Sequence, residues 1–251
     1  IPLAGQTITV VLSLITIAVL SACFVRRLER VITWKALPLA NWLILLIYID
    51  SFAFVFITAV LQEGVGVNTS RGLCDGGILL CLACYLTTKL IYFFLVEKAY
   101  IVHGSRRPRR KNVLFMFNVF GMLVPCVILM ILNFIYRVAY LNEEGLCIIG
   151  MRKLALFPLI VFDVFVNVYL TALFILPIRR LYSFAHNTNP ALRRMATRTF
   201  IGSCITLTIT IVNLSSLGAL GGEPAWICFM CCNADVLISV LALHWVTTID
   251  S

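Results

Sequence analysis

Hydrophobic positions along this chain gather into seven runs, at residues 8–25, 37–61, 74–103, 113–136, 154–178, 200–220 and 225–246, and most polar positions fall in the short links between them. A helix that crosses a bilayer needs about 20 apolar residues, and each run comes near or passes that length. Stretches such as VLFMFNVFGMLVPCVILMILNFIY are apolar on every face, without the two-residue alternation of membrane strands, which are near 10 residues long. The pattern predicts an all-α polytopic membrane protein, one seven-transmembrane-helix domain over residues 1–251. The first run reads as a span rather than a leader: no basic stretch precedes it, and FVRRLER follows it directly, a stop to transfer.

Composition sharpens the picture. Hydrophobic residues make up 61% of the chain and charged residues 12%, too little polar surface for a soluble domain of this size. In a soluble protein a net charge of +9 would point to nucleic acid; here its placement reads as orientation, and no nucleic-acid partner is expected. Fifteen of the 20 Lys and Arg lie in the links after runs one and five or around the exit of run three, including Arg26, Arg27, Arg106, Arg107, Arg179 and Arg198. The opposite links hold Arg71, Arg137, Arg152 and Lys153, and Lys89 lies inside a run. By the positive-inside rule the basic links are cytoplasmic, the N-terminus is outside and the C-terminus is cytoplasmic. The same basic clusters suit contact with anionic membrane lipid. The expected location is the plasma membrane, with an endomembrane as the alternative.

Two marks fall on the side read as outer. Asn68-Thr69-Ser70 is a glycosylation sequon between runs two and three. Cys74, at the head of run three, and Cys147, in the link before run five, both face an oxidising compartment in this topology. A bridge between them would pin the second outer link over the entrance of helix three; the alternative is two free thiols. The other eight cysteines lie in apolar runs and read as small packing residues. None forms a CxxC pair with His at ligand spacing, since His103, His186 and His244 are scattered, so neither a structural zinc nor any cofactor is expected.

With these features the chain resembles the rhodopsin-like (class A) G-protein-coupled receptors, and within that style the seven-helix proteins of filamentous fungi. The resemblance rests on the seven-span plan, the Cys74 and Cys147 pair, and VEKAYIVHGSRRPRR at the foot of helix three, where Glu97 matches the family's acid. Lys98 stands where that family has Arg, and Tyr100 comes one place late; Lys lacks the planar fork of Arg. Helix six has no Trp-x-Pro hinge, and helix seven has neither the Asn-Pro-x-x-Tyr signature nor a Lys for a retinal Schiff base, although Asn233-Ala234-Asp235 echoes the former. The resemblance implies a heterotrimeric G protein at Glu97, Lys98, Tyr100, Arg179 and Arg198, and gives Asp50 the place of the buried acid that helps bind sodium in that family.

Independent of family, ionisable residues at membrane depth mark a site, because each costs at least a few kcal/mol unless paired. Lys89 lies about 22 Å along the helix from Cys74, near the midplane. Asp50, Asp163 and Asp235 fall at comparable depth and are expected to face the interior with it, as a cation site or buried polar network around Asp50 and Asp235. Asp163 and Asn167 share one helix face, and so do Thr206, Thr210 and Asn213. Aromatic residues such as Tyr85 and Tyr92 supply apolar wall. Lys89, Asp163, Asn167, Asn213, Asp235 and Tyr92 are therefore the expected contacts of a small lipophilic or amphiphilic ligand, with buried polar packing as the alternative. Two other classes compete. A membrane terpene cyclase would use Asp50, Asp163 or Asp235 as general acid, with aromatic walls for the cation. A small-solute transporter would need an internal repeat, and none is visible between helices one to three and five to seven.

Overall fold

The computed structural model describes residues 3–29, 39–89, 92–93, 96, 113–184, 190–219 and 222–247. Within them run seven long helices: α1 (Leu3–Glu29), α2 (Leu39–Ala59), α3 (Arg71–Thr88), α4 (Val113–Ile135), α5 (Lys153–Phe184), α6 (Pro190–Ala219) and α7 (Ala225–Thr247). Three short strands, β1 (Arg137–Leu141), β2 (Cys147–Met151) and β3 (Glu223–Pro224), complete the described elements. Each expected run thus has a helix. Among the described residues six helices, all but α3, are long and apolar enough to cross a membrane. The outer surface agrees: Phe117, Phe120, Ile128 and Ile131 of α4, and Phe157 and Phe165 of α5, are more than half exposed, the reverse of a soluble helix. The chain therefore has the make-up of an all-α integral membrane protein.

Helix ends differ from the hydrophobic runs for local reasons. Helix α6 begins at Pro190, ten residues before its apolar run, because proline suits a first helical position and the polar PALRRMATRT continues the helix. Helix α2 passes into a π-helical turn, Val60–Val65, stopped at Gly66 with φ 81°. In the sequon, Ser70 Oγ accepts from Leu73 N at 3.2 Å and caps α3. Asn68 Oδ1 accepts from Cys147 N at 2.8 Å. The residues noted as a glycosylation signal also build the turn that holds β2.

The link before α5 is a hairpin, in which β1 pairs with β2 from Arg137↔Met151 to Leu141↔Cys147. Its turn is held by Asn142 Oδ1, which accepts from Glu144 N and Leu146 N at 3.1 and 2.8 Å, and Gly145 takes φ 73°. Strand β3 adds to the other edge of β2, so three strands cap one end of the bundle. Cys74 and Cys147 form a disulfide with Cα atoms 5.6 Å apart, fastening the cap to the first turn of α3. Beside it Arg137 donates to both carboxylate oxygens of Asp75, at 3.0 and 2.9 Å, and that bond holds its guanidinium above the ordinary range. The Ser216 hydroxyl donates to the buried Glu223 at 2.5 Å.

Beneath the cap lies an apolar cluster that includes Ile78, Leu82, Ile149, Leu159, Leu214 and Phe229. A second cluster, with Leu20, Ile44, Tyr48, Val166, Val236 and Leu243, fills the rest of the bundle. Polar side chains stitch the helices between them. Asn233 Nδ2 donates to Ser13 Oγ at 3.2 Å and the Thr58 hydroxyl to Asn233 Oδ1 at 3.5 Å, tying α7 to α1 and α2. Tyr169 donates to Asn118 Oδ1 at 2.5 Å, tying α5 to α4. In a bilayer such bonds replace the hydrophobic drive that water would supply.

Candidate functional site

Lys89 directly follows α3, in a turn closed by a bond from Tyr92 N to Lys89 O, 2.9 Å. Its Nζ lies 2.7 Å from Asp163 Oδ2, and both side chains are buried. Tyr92 donates its hydroxyl to Asp163 Oδ1 at 3.2 Å, and its oxygen accepts from Asn167 Nδ2 at 2.9 Å. Asn167, one turn after Asp163 on α5, also donates to the Asp163 carbonyl at 2.8 Å. The ammonium lies 4.0 Å from the centre of the Tyr85 ring and 5.0 Å from that of Tyr92. A buried ion pair persists only when further hydrogen bonds satisfy its remaining donors and acceptors, and here a phenol, an amide and two aromatic faces surround it.

This pair forms part of the wall of a cleft among α3, α5, α6 and α7. The cleft offers about 70 Å³ to the centre of a water-sized molecule and opens outward. Asp235 forms part of its wall, with Ser239 Oγ donating to Oδ1 at 3.4 Å. Thr199, Ser203, Thr206 and Thr210 of α6 line the facing side. Its residues run from the middle of α7 to Val246 near its end, and from Thr210 back to Thr199 near the start of α6. The cleft therefore lies in the half of the bundle away from the disulfide-bonded cap, with the apolar cluster between them. Next to the cleft residues Thr199 and Val246 in sequence, the Arg198 guanidinium stands 5.2 Å from the Trp245 ring, and Nη1 donates to Trp245 O at 3.4 Å. Gly202 allows α6 close to α7 there, since a Cβ would come within 3.0 Å of Val246 Cγ2.

Five of the six ligand-contact residues expected from sequence, Lys89, Tyr92, Asp163, Asn167 and Asp235, line this cleft; Asn213 does not. Asn213 faces the other way along α6, with Nδ2 4.0 Å from Cys232 Sγ. Asp50 of α2 is not part of the cleft wall, so equal depth did not bring all three aspartates to one point. Glu97, Lys98 and Tyr100 lie outside the described residues, Arg179 lies near the end of α5, and Arg198 precedes the cleft residue Thr199 on α6. The hydroxyls Thr199, Ser203 and Ser239 were missed; their helical spacing relative to Thr206 and Asp235 carried the signal.

No protein-family model matches the chain, and no curated protein matches it in sequence.

Proposed function

We propose that this protein is a seven-span, receptor-like membrane protein that takes a small amphiphile into the cleft and passes its presence to a partner at the cleft's mouth. The observation that carries this is the buried Lys89–Asp163 pair in the wall of a hydroxyl-lined cleft among four helices. With Lys89 committed to Asp163, Asp235 and the hydroxyls of α6 are left to meet a ligand, which suits a basic or hydroxyl-bearing head and an apolar body. The positive-inside distribution supports a cytoplasmic mouth, where Arg198 and the foot of helix three would meet a heterotrimeric G protein. A ligand bridging Asp163 on α5 and Asp235 on α7 favours whichever spacing of α5, α6 and α7 fits it best, and that spacing sets the shape of the mouth.

The receptor is favoured over a terpene cyclase by Lys89 itself. Its ammonium occupies the faces of Tyr85 and Tyr92, the aromatic surfaces beside Asp163 that would otherwise stabilise a carbocation. The test uses the protein in nanodiscs with a dansylated long-chain alkylamine as probe. Saturable binding, weakened at least roughly tenfold by Asp235→Asn, supports the assignment. Binding unchanged by Asp235→Asn, together with no stimulation of nucleotide exchange on a reconstituted heterotrimeric G protein, refutes it. Conversion of a prenylated epoxide to cyclic product, lost in Asp163→Asn or Asp235→Asn, would make it an enzyme.

A further inference from the structure

Away from the cleft, on the cap side of Asp235, three cysteine side chains from two helices meet. Cys228 and Cys232 are one turn apart on α7, and Cys81 reaches them from α3. Cys81 Sγ is 3.9 Å from Cys228 Sγ and 4.0 Å from Cys232 Sγ, and all three sulfurs lie within 4.8 Å of one another. Neither helix alone produces this convergence. It depends on the close α3–α7 seam at Gly77, one turn before Cys81, where a Cβ would come within 3.0 Å of Phe229 Cζ.

From these residues we infer that Cys81, Cys228 and Cys232 form a binding site for a soft monovalent metal ion, copper(I), in the interior of the bundle. The point equidistant from the three sulfurs lies roughly 2.3–2.5 Å from each, close to the length of a metal–thiolate bond. The donor set is sulfur alone, which selects soft ions and rejects calcium and magnesium, which require oxygen ligands. Three donors suit a d10 monovalent ion, whereas zinc takes four in a closed site. On binding, the coordinating thiols release their protons to the medium, since the thiolate is the ligand. Asn213 Nδ2, 4.0 Å from Cys232 Sγ, directs an N–H toward the sulfur best placed to carry the negative charge. Cys81 and Cys232 are partly exposed, which leaves an entry for the ion.

The test withdraws copper(I) from its bicinchoninate complex with the full chain in detergent, under reducing conditions that spare the Cys74–Cys147 bridge. One ion per chain is expected, with apparent affinity reduced at least roughly tenfold in Cys81→Ser and Cys232→Ser and unchanged in Cys126→Ser and Cys204→Ser. X-ray absorption on the copper-loaded wild type gives a second readout that needs no variant, and a shell of three sulfurs is expected. Uptake that the Cys81 and Cys232 variants leave unaltered, a shell containing nitrogen or oxygen, or zinc(II) bound more tightly than copper(I) would each overturn the assignment.

Discussion

Lys89→Met takes from the Asp163 carboxylate the cation 2.7 Å away and leaves the Tyr92 hydroxyl at 3.2 Å. Asp163 is 1% exposed, so water cannot replace the lost partner without opening the bundle. Removing one member of a buried pair costs about 3–5 kcal/mol, because the survivor is left charged in a poor solvent or must change its protonation. Asp163→Asn carries a similar cost of about 3–5 kcal/mol: it strands the ammonium between two tyrosine rings while keeping a hydrogen bond for Tyr92. The double variant Lys89→Met/Asp163→Asn holds no charge and still fills the space. It should be less destabilised than the two single changes together by at least about 2 kcal/mol. Equilibrium unfolding of the four proteins in bicelles, read by far-ultraviolet circular dichroism, closes the cycle. Additivity within about 0.5 kcal/mol would refute the reasoning, because it would mean that the two groups are solvated separately.

Other expectations concern different parts of the fold. Replacing Cys74 and Cys147 by Ser opens a loop of 73 residues and should cost about 4 kcal/mol, measured in the same unfolding assay under oxidising conditions. Asp75→Asn, which breaks a part-exposed pair with Arg137, should cost under about 1 kcal/mol and lose most of that effect in high salt. Gly202→Leu drives a side chain into the α6–α7 seam against Val246; it should lower binding of the dansylated alkylamine in the nanodisc assay while leaving the cap disulfide intact on non-reducing gels. Glu223→Ala removes the partner of Ser216 beneath the cap and should cost about 1–3 kcal/mol, read by thermal unfolding.

Helices were legible because bilayer thickness imposes a length that any apolar run displays, and the Lys89–Asp163 pair because a charge at that depth must find a partner. Depth carries no information about direction around a helix axis. Asp50 and Asp235 therefore looked equivalent, yet only Asp235 reaches the cleft. Cys81 and Cys228 looked like separate packing residues for the same reason, since nothing local in CLAC or CFMCC states which helix faces which. The hairpin was closer to hand: Asn142 and Gly145 bracket a turn between the β-prone segments RVAYL and CIIGM, a local signal independent of the Cys147 pairing. Thr58, Ser13 and Asn233 form a tie across three helices that only the assembled bundle discloses.

The cap and the cleft sit at opposite ends of the molecule, with an apolar plug including Ile78, Leu214 and Phe229 between them. If the proposed reading holds, a solute at Lys89 enters from the half away from the cap or sideways between helices out of the lipid, because the plug lies between it and the disulfide. Potency among candidate molecules would then follow how readily each dissolves in and crosses a bilayer, and a permanently impermeant analogue supplied on the cap side would stay silent however well it fits.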